Sequence, residues 1–347
     1  MKSIFSITSL LLILILNACG SSNTLPADLF EIKLAGNKTE FQQNESVGIS
    51  LKNKKGIEVD NVSYTINDQP LKVENDQIVL DMPHLGEKTI TATISYEGKT
   101  GNIEKHIKIL AAKGPEVYTY EIINEFPHDQ KAFTQGLEFY KDTLYESTGR
   151  KGQSFLRKFD FKTGKVFKQI DLDKQYFGEG LTILNDKIYM LTWQSGLGFI
   201  YDVNSLEKID SFQYGTSKEG WGLTNDGKRL YKSDGSEKIW LLNPETLVEE
   251  DHIETVTNKS IFNKTNELEY VDGLIYANVW QKESMMIIDA VSGAIIGVIN
   301  FGGLKDKVTK HADLDVLNGV AYNPKRGTFF VTGKNWDKLF EVKILKK

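Results

Sequence analysis

Phe177-Gly-Glu-Gly-Leu-Thr182 returns in altered form four more times along the chain. The related stretches are Phe133-Thr-Gln-Gly-Leu137, Glu219-Gly-Trp-Gly-Leu-Thr224, Thr265-Asn-Glu-Leu-Glu269 and Val316-Leu-Asn-Gly-Val320. Each opens a repeat of roughly 40 to 50 residues, the spacing of four-stranded propeller blades. The variable position of the frame holds Gln135, Glu179, Trp221, Asn266 and Asn318.

A regular grammar follows each opening. A first strand runs into a turn at Lys141-Asp142, Asn185-Asp186, Asp226-Gly227, Asp272-Gly273 or Arg326-Gly327, dipeptides suited to tight turns. Second strands begin at Thr143-Leu-Tyr145, Lys187-Ile-Tyr189, Arg229-Leu-Tyr231, Leu274-Ile-Tyr276 and Thr328-Phe-Phe330. Third strands end at Asp160, Asp202, Asn243 or Asp289 and turn into a fourth. The last repeat stops at Lys347 after its third strand, so residues 118–125 are expected to supply its fourth and close a ring of five blades. Radial closure of this kind leaves few open sheet edges.

Topology then gathers chemistry. The first two strands of a blade are antiparallel, so the start of one lies beside the end of the other. The residues after the second strands are Ser147-Thr-Gly149, Trp193, Ser233-Asp234, Trp280 and Lys334-Asn-Trp336. Both sets belong at one mouth of the channel, which should hold the carboxylate of Glu179, the ammonium of Lys334, several amides and four of the five tryptophans. Trp240, in a third strand, is expected in the core. Glu267 and Glu269 read as framework residues or as ligands of a cation.

Upstream of the ring the chain reads differently. Residues 1–19 carry Lys2, an apolar run over 4–16 and Leu16-Asn-Ala-Cys-Gly20. The run is too short to span a bilayer and has the form of a signal-peptide core. The only cysteine, Cys19, stands at the cleavage point, the arrangement of a bacterial lipobox whose cysteine is acylated. Acyl chains would anchor the protein to a membrane, in the bacterial cell envelope, facing the periplasm or the surface. Residues 20–28 read as a tether. Over 29–112 short runs alternate (Val47, Ile49, Leu51; Val62, Tyr64, Ile66; Ile90, Ala92, Ile94), which predicts a small immunoglobulin-like β-sandwich serving as a spacer or docking module. A linker over 111–116 leads to the propeller, 113–347.

A net charge of -5 and the lack of a basic tract exclude nucleic acid as an expected partner. One cysteine excludes an intrachain disulfide and any cysteine-based zinc site, and the five histidines are scattered without a metal-binding pair.

AFTQGL, LYESTG, FGEGLT, LTW, EGWGLT, SDGS, NELEY, IYANVW, VLNGVAY and TGKNW together give residues 118–347 a resemblance to the glutaminyl-peptide cyclotransferases of plant and bacterial type. The resemblance implies a five-bladed β-propeller that converts N-terminal glutamine to pyroglutamate and releases ammonia. It implies Glu179 as the proton-transfer residue, with Lys334, Asn266 and Gln135 as polar catalytic residues. Trp221, Trp280, Trp193, Phe133 and Phe177 correspond to the substrate-binding walls. No cofactor is required by this chemistry; a propeller can carry a structural calcium ion, for which the sequence assigns no ligands. Expected partners are peptides or proteins with N-terminal glutamine, and the expected state is a monomer. Read without the resemblance, the same mouth also suits a non-enzymatic propeller that binds peptide or glycan, or a metal-dependent hydrolase.

Overall fold

The computed structural model describes residues 24–347. The signal segment, Cys19 and residues 20–23 of the expected tether lie outside the described residues. The tether's end is already structured: Pro26–Leu29 forms one helical turn, with proline where its missing N–H costs nothing, and Leu29 enters the core that follows.

The chain is all-β. Eight strands, Phe30–Leu34 through Lys99–Leu110, form the N-terminal lobe. They make a three-stranded sheet and a five-stranded sheet around the long hairpin Gly86–Tyr96 and Lys99–Leu110. The alternation seen in sequence is alternation in space: along Gly86–Tyr96, buried Ile90, Ala92 and Ile94 interleave with half-exposed residues. Both sheets share one core, with Phe30, Ile32 and Ile49 from the first and Tyr64, Ile90 and Ile107 from the second.

Beyond it come three four-stranded meanders. The first comprises Thr134–Tyr140, Thr143–Thr148, Phe155–Phe159 and Val166–Asp171. The others start at Gly178–Leu184 and Leu223–Asn225. An eight-stranded sheet completes the chain. Within it, the meander that starts at Thr265–Val271 ends in Ile295–Asn300, which pairs in parallel with Glu116–Pro127. Glu116–Pro127 in turn pairs antiparallel with Lys338–Lys346, supplying the fourth strand expected for the last repeat. First strands neighbour one another in cyclic order, with Leu317–Asn323 returning to lie beside Thr134–Tyr140.

Burial follows this order. The inner strand Gly178–Leu184 is buried throughout, whereas the outermost strand Val166–Asp171 is almost wholly exposed. Inner strands of adjacent sheets form no ladder with each other, so their inward N–H groups need other partners. Buried carboxylates provide them. Glu267 accepts from Leu137 N at 3.3 Å and Val320 N at 2.9 Å, Glu269 accepts from Tyr322 N at 2.7 Å, and Glu138 accepts from Ile183 N at 3.1 Å. Glu267 and Glu269 therefore serve the framework. The expected turns form as well: Asp160, Asp202, Asn243 and Asp289 each accept a backbone N–H from two residues on.

The lobe and the ring are fused. Val256 and Ala294 of the ring belong to the lobe's own core, and Ile261 packs on it. Leu85 N donates to Ser292 O at 3.0 Å, Ala111 N to Thr257 O at 3.1 Å, and Glu87 N to Glu254 Oε2 at 3.1 Å. The stretch read as a linker is thus partly a packed seam, with Ala111 buried.

Candidate active site

What aims most of the site residues is a defect in four of the five inner strands. The pairing register slips between Thr134 and Gly136, Gly178 and Leu181, Thr265 and Leu268, and Leu317 and Val320. A β-bulge leaves its extra residue out of the ladder and re-aims the side chain. The residues so released include Gln135, Glu179, Asn266 and Asn318, four of the five variable positions of the repeat. In the third sheet Trp221 stands just before the strand Leu223–Asn225. Glycine in the frame lets these strands converge: a Cβ at Gly180 would lie 2.6 Å from Leu223 N, and one at Gly222 would lie 2.0 Å from Asn266 O.

The result is a pocket of about 320 Å³. Gln135, Glu179, Asn266 and Lys334 all line it, as do Phe133, Phe177, Trp193, Trp221 and Trp280. Phe133 meets Phe177 edge-on at 6.1 Å, and Phe177 leans on Trp193 at 5.4 Å. Trp221 and Trp280 meet edge-on at 5.7 Å. All nine residues expected to act in catalysis or substrate binding line this one opening. Trp336 is the exception among the tryptophans placed at the mouth. It is buried in the core, donates from Nε1 to Asp315 O at 3.1 Å and packs on Phe340. Trp240 is core, as expected.

Polar contacts divide these residues into fixed and free. Gln135 Nε2 donates to Glu179 Oε1 at 3.1 Å, and Gln135 Oε1 accepts from Asn318 Nδ2 at 3.1 Å. Trp193 Nε1 and Trp221 Nε1 donate to Glu219 Oε2 at 2.7 and 2.9 Å. The Trp221 indole is therefore already engaged and is not a spare donor for a developing charge. Among the described residues, the Asn266 amide and the Lys334 ammonium have no hydrogen-bond partner; the Lys334 Nζ lies 4.9 Å over the Phe133 ring.

Glu179 and Lys334 are each only 5% exposed. Burial pushes the Glu179 carboxyl well above the usual carboxylate range; the Lys334 charge works against this and the Glu219 charge adds to it. Burial likewise holds the Lys334 ammonium below the usual lysine range, against the pull of Glu179 and Asp315. A protonatable acid and an unpaired cation, both buried in one aromatic pocket, are the equipment for moving a proton and meeting an oxyanion.

The loop bearing Lys334 is anchored from below. Asn335 N donates to Ala132 O at 2.8 Å, and Asn335 Nδ2 to Gln130 O at 3.0 Å. Beneath it, Arg157 clamps Glu146 at 2.6 Å, with His128 at 3.0 Å on the other carboxylate oxygen. Burial opposes ionisation of Glu146, yet Arg157 and His128 hold it down at about 2.

Sequence reasoning passed over two contributors. Asn318 was placed at the variable position of the repeat but not among the catalytic or substrate-binding residues, although it occupies the same repeat position as Gln135. Glu219 opens Glu219-Gly-Trp-Gly-Leu-Thr224, and a carboxylate two residues before a mouth tryptophan was the available signal. Among the described residues no cluster of three or more His, Cys, Asp or Glu is disposed to hold a metal ion.

Residues 91–344 match the family model of glutamine cyclotransferase, a match that begins inside the N-terminal lobe. Over 228 residues the chain is 41% identical to a glutaminyl-peptide cyclotransferase of Arabidopsis thaliana, covering 65% of this chain and 71% of that protein. Superposition on the crystal structure of Myxococcus xanthus glutaminyl cyclase gives a TM-score of 0.62 at 32% identity, covering 67% of this chain and 98% of the other.

Proposed function

The chain belongs to the glutamine cyclotransferase family and is an enzyme of that kind, and from this we propose that it closes N-terminal glutamine to pyroglutamate through Glu179. The observation that carries the reading is a single buried carboxylate, Glu179, aimed by Gln135 into an aromatic pocket that it shares with the unpaired Lys334 and Asn266.

Cyclisation needs a neutral α-amine at the γ-carboxamide carbon. Ionised Glu179 takes one proton from the α-ammonium. The freed amine attacks, a C–N bond forms, and the carbonyl oxygen becomes an oxyanion that the Lys334 ammonium and Asn266 amide can meet. Glu179 then returns its proton to the carboxamide nitrogen, the second C–N bond breaks and ammonia leaves. The attacking nitrogen began with three protons and keeps one in the lactam; the remaining proton passes to solvent. The aromatic walls hold the folded-back conformer in which amine and carboxamide meet.

The cyclic order of inner strands and the meander connectivity support reading the second part of the chain, 113–347, as a five-bladed β-propeller. The two sheets of 29–112 around one core support an immunoglobulin-like sandwich. We further propose a metal-independent reaction, a monomer, and a lipid anchor at Cys19 that holds the enzyme in the cell envelope. Exported peptides and proteins with N-terminal glutamine are then its substrates.

The deciding experiment incubates a glutamine-leading peptide with the protein in excess chelator and follows loss of one ammonia by mass spectrometry. Cyclisation should persist in chelator and fall by on the order of 100-fold or more in Glu179→Gln. An active Glu179→Gln protein would sink the assignment, and loss of activity in chelator would sink its metal independence.

A further inference from the structure

Glu219 lies outside the pocket lining yet controls two of its walls. Its Oε2 accepts from the indole N–H of Trp193 and of Trp221, while its Oε1 accepts from Gln194 Nε2 at 3.1 Å. Trp193 follows the second strand of one sheet and Trp221 precedes the first strand of the next, so a single carboxylate ties two sheets together at the mouth. Their backbones converge too: Gly220 N donates to Trp193 O at 3.1 Å, Trp193 N to Phe177 O at 3.0 Å, and Gly180 N to Trp221 O at 2.7 Å. Both indoles are half-buried, and a Trp N–H taken from water usually finds a hydrogen-bond partner, here the Glu219 carboxylate. An ionised acceptor makes the stronger anchor.

We propose that Glu219 is a positioning residue of the glutamine pocket, its carboxylate locking Trp193 and Trp221 as facing walls around the substrate's first residue. The inference rests on the cyclotransferase reading for its substrate, though not for its geometry. Its charge also acts at a distance. The titratable groups that face Glu179 are Lys334, Glu219 and Tyr214. Of these, Lys334 favours the ionised acid, whereas Glu219 works against it. Fixing the walls and tuning the acid are two effects of one side chain, and they separate experimentally.

The test compares wild type, Glu219→Gln and Glu219→Asp in the full chain. Steady-state kinetics on a glutamine-leading peptide across pH are combined with acrylamide quenching of tryptophan fluorescence. Glu219→Gln keeps the size but loses the charge. KM should rise about tenfold, with kcat near neutral pH changing by less than about threefold. The acid limb of kcat/KM should move to lower pH, because Glu179 loses a neighbouring negative charge. Glu219→Asp keeps the charge with a shorter reach, so it should raise KM and leave the limb in place. Quenching should increase in both variants as the indoles loosen, a readout independent of turnover. Folded variants with unchanged quenching, KM and acid limb would overturn the inference even where Glu179→Gln is inactive; an active Glu179→Gln would overturn the catalytic reading and leave the quenching result to decide the role of Glu219.

Discussion

Gln135 and Glu179, from neighbouring sheets, are joined by a hydrogen bond in which the amide Nε2 donates to the carboxylate Oε1 at 3.1 Å. The amide has no freedom to turn over. Asn318 Nδ2 occupies its oxygen and also donates to Thr134 O at 2.9 Å. Three equivalent repeat positions thus form a chain that ends on the acid. Burial is the dominant influence on Glu179; a donor held against the carboxylate favours its ionised form and works the other way.

Replacing Gln135 with alanine should therefore make Glu179 harder to ionise. The acid limb of kcat/KM should move to higher pH, opposite in direction to the shift expected for Glu219→Gln. Activity at neutral pH should fall roughly tenfold to a hundredfold. A pH–rate profile on a glutamine-leading peptide checks this, and an unmoved limb would show that the hydrogen bond does not bias the acid.

Stability should respond to pH through other carboxylates. Desolvation pushes Glu138 up to about 8, and burial raises Glu267 and Glu269 well above 4.5. A group whose folded pKa is raised contributes stability that is complete below its unfolded pKa and lost as pH rises through the folded one. For Glu138 that window runs from about 4.5 to about 8. Glu146 does the reverse: held at about 2, its contribution is present above 4.5 and lost as pH falls toward 2. Thermal melts should show maximal Tm in mildly acidic buffer, with decline on both sides. Replacing Glu138 with glutamine should flatten the alkaline decline, and an unchanged slope would count against the assignment.

Much of this architecture was legible because repeats make the same statement several times. Asp160, Asp202, Asn243 and Asp289 each announce a turn at the same point of the frame, and each forms it. The convergence of Gln135, Glu179, Asn266 and Lys334 followed from strand direction alone. What could not be read was side-chain pairing across sheets. Whether the Trp221 indole faces the substrate or Glu219 depends on side-chain angles in the segment that leads into Leu223–Asn225. Trp336 has the same sequence context as the mouth tryptophans, but it turns beneath Gly333, where a Cβ would lie 2.2 Å from its ring. The seam between lobe and ring was equally silent, since Val256 and Ala294 look like ordinary strand-end residues.

Close approach of inner strands makes Gly222 a sensitive position. An added Cβ would lie 2.0 Å from Asn266 O and 2.8 Å from Glu267 Cα, both backbone atoms without room to retreat. Gly222→Ala should cost about 3 kcal/mol by forcing two sheets apart. It should also displace Asn266 and thereby lower kcat. Denaturant melts and kinetics on the same preparation check both, and a variant with wild-type stability would show that the inner strands yield more than their spacing implies.

The lobe should prove inseparable from the ring. Val256, Ala294 and the half-buried Ile261 would lose their cover if residues 113–347 were expressed alone. Crossover residues 255–264, which include Val256 and Ile261, lead directly into Asn266 at the pocket, so loosening the seam should reach the site. Gly86→Ala tests the seam in the full chain. Gly86 has φ +98° and an added Cβ would lie 2.5 Å from the Glu254 carboxyl, which itself accepts from Glu87 N. Strain and displacement together should cost about 2 to 3 kcal/mol. Calorimetry should give one cooperative transition for the full chain, lowered in Gly86→Ala, and a reduced Tm with raised KM for the excised ring. Two independent transitions in the full chain, or an excised ring as stable and active as the whole, would mean that the lobe is only an appended spacer.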